Sequence, residues 1–139
     1  MSYIFTVDAT DEDVWEPSLD IGKLFMGGVE ALGKRVLRVP MGLDDVSGDW
    51  VKVEPQQYGQ FVTLALRRRA ETRHWDMVQL MDGVLPLMVA LADRIGITVS
   101  TRSQVEEAYL AWARDEDRNL LGHVWARHDG TVAVRGQVK

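Results

Sequence analysis

From Trp75 to Ile95 apolar residues recur at almost every angle of a helical wheel, while Asp76, Gln79, Gly83, Pro86, Ala90 and Asp93 keep to a narrow stripe at three- and four-residue steps. A helix that is apolar on nearly all sides belongs in a core. This stretch is therefore read as the central helix (75–95) of the fold. Its uncharged run, Gly83 to Ala92, is shorter than the ~20 residues a membrane span requires. Pro86 lacks a backbone N–H and its ring clashes with the carbonyl four residues earlier, which predicts a kink near Asp82 or Gly83. Gly96 suits a left-handed helix cap.

The remaining elements follow from the same periodicities. Tyr3 to Val7 reads as a strand, cut off by the acidic run Asp8 to Asp13. Ser18 is an N-cap, with Asp20 in the first turn, for a helix whose apolar face is Ile21, Leu24, Phe25, Gly28, Leu32 and Val36 and which ends near Arg38 or Val39. Gly27 and Gly28 each cost about 1 kcal/mol relative to alanine, so they predict a break or a close helix crossing. Pro40 to Gly48 is a loop by composition, and Trp50 to Val53 a short extended piece. Pro55 suits the first turn of a second helix, with Tyr58, Phe61, Val62, Ala65 and Leu66 on its apolar face and an end near Thr72 or Arg73. Ser103 with Glu106 forms a capping-box pattern ahead of another helix, whose buried stripe is Val105, Ala108, Tyr109, Trp112 and Ala113. Asp129-Gly130 between Leu120–Arg127 and Thr131–Val138 signals a hairpin. The expected architecture is a single α+β domain over residues 1–139. It has about four helices in all, built around the central apolar helix (75–95) as one of them, and a C-terminal antiparallel β-hairpin (120–138) joined by the N-terminal strand (3–7).

Composition narrows the chemistry more than the fold. The chain has 139 residues, 46% hydrophobic and 27% charged, which suits one core. It has no cysteine, so disulfides, thiolate metal sites and cysteine nucleophiles are excluded. The acidic N-terminus lacks the basic, apolar pattern of a secretory leader, and a cytoplasmic location is expected. The net charge of -5 is concentrated in residues 1–50, where ten acidic side chains face four basic ones. Such a surface repels phosphate backbones and draws basic partners.

From Tyr3 to Gly96 the chain resembles a family of small uncharacterised actinobacterial proteins, a domain of unknown function. The resemblance rests on Tyr3-Ile4-Phe5, Val14-Trp15-Glu16-Pro17-Ser18-Leu19, Gly22-Lys23-Leu24-Phe25, Glu30-Ala31-Leu32, Pro40-Met41-Gly42-Leu43 and Val53-Glu54-Pro55 before Phe61, in that order. The family has no assigned activity, so the resemblance implies no catalytic or binding residue.

Three features carry functional weight, each with a plainer reading. Asp44, Asp45 and Asp49 beside Trp50, with Trp15 after a second acidic run, match the acid-plus-aromatic surface that engages a basic protein. The same tryptophans could instead plug the core. Residues 87–110 carry an alanine–glycine–apolar skeleton (Ala92, Gly96, Ile97, Val105) like that of a helix-turn-helix reading head. Arg102 stands where that skeleton wants an apolar side chain, and Glu106 and Glu107 would face phosphates. Arg67, Arg68, Arg69 and Arg73 with His74 could grip an anion, or could simply complement a helix C-terminus. His74, His123 and His128 do not converge by spacing on a metal, and phosphate-binding glycine loops and a G-x-S-x-G elbow are absent. No metal, cofactor or catalytic residue is expected. The sequence thus points first to a non-enzymatic protein-interaction module for a basic partner, of the immunity-protein, antitoxin or accessory kind, using Asp44, Asp45, Asp49, Trp50 and Trp15. A helix-turn-helix regulator comes second, against the acidic balance, and an orphan enzyme third. No membrane is expected, and homodimerisation is left open.

Overall fold

The structure, a computed structural model, describes residues 2–116. The hairpin expected at 120–138, with His123 and His128, lies outside the described residues. The N-terminal strand forms as β1 (Ile4–Val7). On one side it pairs antiparallel with β2 (Asp13–Trp15), and on the other it runs parallel to β4 (Trp50–Val53). The edge strand β3 (Leu43–Asp45) adds antiparallel to β4, giving a mixed sheet of order β2-β1-β4-β3. β1 therefore occupies an interior position with both edges taken, and its partners come from residues 13–53 in place of the hairpin. Side chains alternate across the pleat. Phe5, Val7, Val51, Val53 and Leu43 are buried on the inner face, whereas Ile4, Thr6, Trp50, Lys52 and Asp44 share the outer one.

Helices cover the inner face. α1 (Leu19–Leu32) starts at Ser18, whose Oγ accepts the Ile21 N–H at 3.3 Å. It passes unbroken through Gly27 and Gly28. No close crossing requires either glycine: a Cβ at Gly27 would meet nothing within 4 Å, and one at Gly28 would make ordinary contact with Val84 Cγ2 at 3.4 Å. A π-helical turn, Gly33–Leu37, follows, and Arg38 at φ 56° turns the chain into the loop. In α2 (Pro55–Glu71) Pro55 sits in the first turn, and the Glu54 carboxylate caps it by accepting the Gln56 and Gln57 N–H groups at 2.5 and 3.3 Å.

The expected central helix is two helices, α3 (Trp75–Asp82) and α4 (Leu85–Ile95), bent by 40° across Gly83 and Val84. Pro86 falls in the first turn of α4, where its missing N–H costs no intrahelical bond. Gly96 closes α4 at φ 87°. In front of α5 (Gln104–Glu116), Ser103 Oγ accepts the Glu106 N–H at 3.2 Å. Glu106 reaches back to the N–H of Arg102 at 3.1 Å, one residue before the Ser103 N–H of the usual box. The described residues hold five helices against the four or so expected, the difference being the division at Gly83 and Val84.

Two packed zones form the core. Beneath the sheet, Phe5, Trp15 and Phe25 stack, with Trp15 4.9 Å from Phe5 and edge-on to Phe25 at 5.2 Å. Behind them α4 lies between α2 and α5 with seven of its 11 residues buried, and the Tyr58 hydroxyl of α2 donates to Met88 O at 2.7 Å. Among the described residues no single helix is long and apolar enough to cross a membrane.

Candidate functional site

The acidic residues of the 44–49 hairpin separate into different roles. β-Pairing places Asp45 opposite Val51, on the inner side of the sheet edge. There its two oxygens are engaged: Oδ2 accepts the Tyr3 hydroxyl at 2.6 Å and Oδ1 accepts the Gly48 N–H at 2.7 Å. Burial, and then the Asp45 carboxylate, push the Tyr3 hydroxyl well above its ordinary pKa, because ionised tyrosine would be both desolvated and set against a like charge. Asp49 accepts the Ser47 hydroxyl at 3.0 Å, and its carbonyl accepts the Ile4 N–H at 2.9 Å. Asp45 and Asp49 thus shape the turn and fasten it to β1.

The tryptophans divide as well. Trp15 is 0% exposed in the aromatic cluster, so its expected place on a binding surface is corrected: its inward register opposite Phe5 makes it core. Trp50 lies half-buried across the outer face. Its Nε1–H donates to Thr6 Oγ1 at 3.0 Å, and the Thr6 hydroxyl in turn donates to Asp13 at 2.8 Å. Lys52 Nζ stands 5.2 Å from the Trp50 ring centroid and 3.7 Å from Asp8 Oδ1.

Asp44 remains on the outer side, in cross-strand register with Lys52. It lines a recess of about 430 Å³ together with Asp8, Met41, Lys52, Glu54 and Gln57. Asp44 of β3, Asp8 at the end of β1 and Glu54 at the cap of α2 therefore line one recess with Lys52; Asp8 is paired with the Lys52 ammonium, and Glu54 Oε2 is taken up by the Gln56 and Gln57 N–H groups. Asp8 and Glu54 could be assigned to this site only from the parallel pairing of β1 with β4, which brings Asp8 N–H to Val53 O at 2.9 Å. The sequence carries no local trace of that pairing.

The model of a family of unknown function, DUF6086, matches residues 1–121. The chain belongs to that family. The DUF6086 match extends past Gly96, where the sequence resemblance ends, and takes in α5 whole. No curated protein and no solved structure matches the chain.

The other features of this DUF6086 chain are bound up in its packing. Arg67, Arg68 and Arg69 fan around α2 as consecutive helical residues must. Arg69 is buried, paired in two-pronged fashion with Asp82 at 2.7 and 3.1 Å and stacked 3.8 Å from the Tyr109 ring. The Asp82 bond holds its proton more firmly than usual. Arg67 approaches the buried Glu106 at 3.8 Å, while Arg68 is exposed. The connection between α4 and α5 runs from Gly96 to Ser103, longer than the three or four residues of a helix-turn-helix. Val105, which that motif would bury, is 52% exposed. Among the described residues no group of three metal-ligating side chains converges.

Proposed function

We propose that this DUF6086 chain is a cytoplasmic, non-enzymatic protein-interaction module that takes a cationic side chain of a basic partner into the recess of Asp8, Asp44 and Glu54 beside Trp50, as an immunity protein, antitoxin or accessory subunit would. The observation that carries this reading is the position of Lys52, which already models such a ligand. It is an ammonium group set between the Asp8 carboxylate and the Trp50 ring. Its pair with Asp8 is solvent-exposed and so is worth little, and an arriving arginine that bridges two carboxylates can displace it. Carboxylates at the rim steer the encounter, and the aromatic face supplies contact area.

Calorimetric titration of the full chain with a short arginine-rich peptide tests it. Saturable binding that weakens with salt is expected. Asp44→Lys should lower the affinity about tenfold, or about 1.4 kcal/mol, while Glu107→Lys on α5, with the same change in net charge, should alter it less than about twofold. Equal losses in the two variants, or no saturable binding by the natural chain, would sink the proposal.

A further inference from the structure

A groove of about 500 Å³ lies between α2 and the chain that leaves α4. On the α2 wall Gln56, Gln60, Thr63 and Arg67 recur at three- and four-residue steps and so share one face of the helix. The other wall is the segment after Gly96, through Ile97, Thr98 and Ser100. The walls meet at Gly59, where a Cβ would stand 2.7 Å from Ile97 Cγ2, so the missing side chain lets Ile97 seat directly on α2. From Ile97 to Arg102 the chain has neither turn nor bend, and Val99 is buried between exposed Thr98 and Ser100. That alternation is the habit of a strand. Yet the segment has no ladder. The Ile97 N–H is taken by Ala92 O at 2.9 Å and the Arg102 N–H by Glu106, whereas among the described residues the N–H groups of Thr98 to Thr101 donate to no protein group. A straight backbone with unspent donors is a template for another strand.

Arg67 is the charged residue of the groove. Its Nε is buried without a hydrogen-bond partner, and Glu106, 3.8 Å away, accepts the Arg102 N–H instead. The cation is thus short of acceptors. We propose that the groove takes an extended, acidic segment of a partner protein, added as a strand along Thr98 to Thr101 with a carboxylate side chain on Arg67. Main-chain bonds supply the affinity, and the carboxylate fixes the register. The rise of α2 from Gln56 to Arg67, about 16 Å, equals about five residues of strand. The acidic excess of the chain lies in residues 1–50, which contribute to neither wall. The groove shares no lining residue with the recess of Asp8, Asp44 and Glu54, so either proposal can fail alone.

Amide hydrogen exchange of the full chain, read residue by residue by NMR, tests it. The probe is a blocked peptide of about six residues, alternating valine and threonine and ending in glutamate. At saturation, alternate amides within Thr98 to Thr101 should slow by at least about tenfold. Replacing the peptide's glutamate with glutamine should weaken binding about tenfold in the natural chain and less than about twofold in Arg67→Gln. The peptide-side exchange leaves the protein untouched, so it decides the matter even where Arg67→Gln perturbs the fold. Unchanged exchange at these amides with about millimolar peptide, or equal affinity of the two peptides for the natural chain, overturns the proposal. So do amides that are already slow before peptide is added, since this chain or a second copy has then taken them.

Discussion

α3 and α4 come from one apolar run of sequence, yet they end in opposite surroundings. α4 has α2, α5 and β2 packed about it and is buried along most of its length. α3 is held chiefly by the Arg69–Asp82 pair at its end and by Met81, and it leaves Trp75 and Leu80 in solvent. Apolar periodicity specifies that a surface is to be covered. It leaves open whether the cover comes from the same chain or from another molecule.

The contrast can be broken most strongly in α4. Leu91→Ala removes a 0%-exposed side chain between packed helices and should cost about 3 kcal/mol in urea unfolding. A loss below about 1 kcal/mol would mean that α4 is not closely packed between α2 and α5. Asp82→Asn should cost about 2 kcal/mol, because it leaves the buried Arg69 guanidinium without its counter-charge. Faster amide exchange confined to α3 would show that this pair is its main tether. Tyr58→Phe should cost about 1 kcal/mol by removing the hydrogen bond to Met88 O. Burial raises the folded pKa of Tyr58 above its unfolded value near 10, so its contribution is complete below about pH 10 and declines as pH rises beyond it. Stability measured between about pH 9 and 11 should therefore fall less steeply in Tyr58→Phe than in the natural chain. Leu80→Ser in dilute protein should change stability by less than about 0.5 kcal/mol. A larger loss at low concentration would mean that Leu80 is covered within its own chain.

Elements governed by local rules were legible in the sequence. Ser18, Pro55, Gly96 and Ser103 mark helix ends by the hydrogen bonds or dihedrals they supply, and each does so in the structure. The kink expected from Pro86 came out as a full division, because Val84 leaves the helical ladder, its N–H bonding Met81 O at 3.1 Å in place of the carbonyl four residues back. β2 and β3 were not legible. Each has three residues, too few to show alternation, and each is set in an acidic or glycine-rich context that reads as loop. The candidate site shared that fate. Trp15 and Trp50 look alike in sequence, and strand register alone sends one to the core and the other to the outer face. Asp45 looked like a surface acid, but it is claimed by Tyr3, a partner that only the folded sheet brings near.

The parallel pairing of β1 with β4 carries a kinetic consequence. Ile4 meets Trp50 only after all the intervening chain has been gathered in. The closure entropy of that loop is spent before any ladder bond returns it. During synthesis β1 leaves the ribosome long before its interior partner exists, whereas the turns of α2 and α4 form from neighbours already present. Non-local pairing of this kind slows folding. β1 is thus made well before β4 and is among the last elements to be completed.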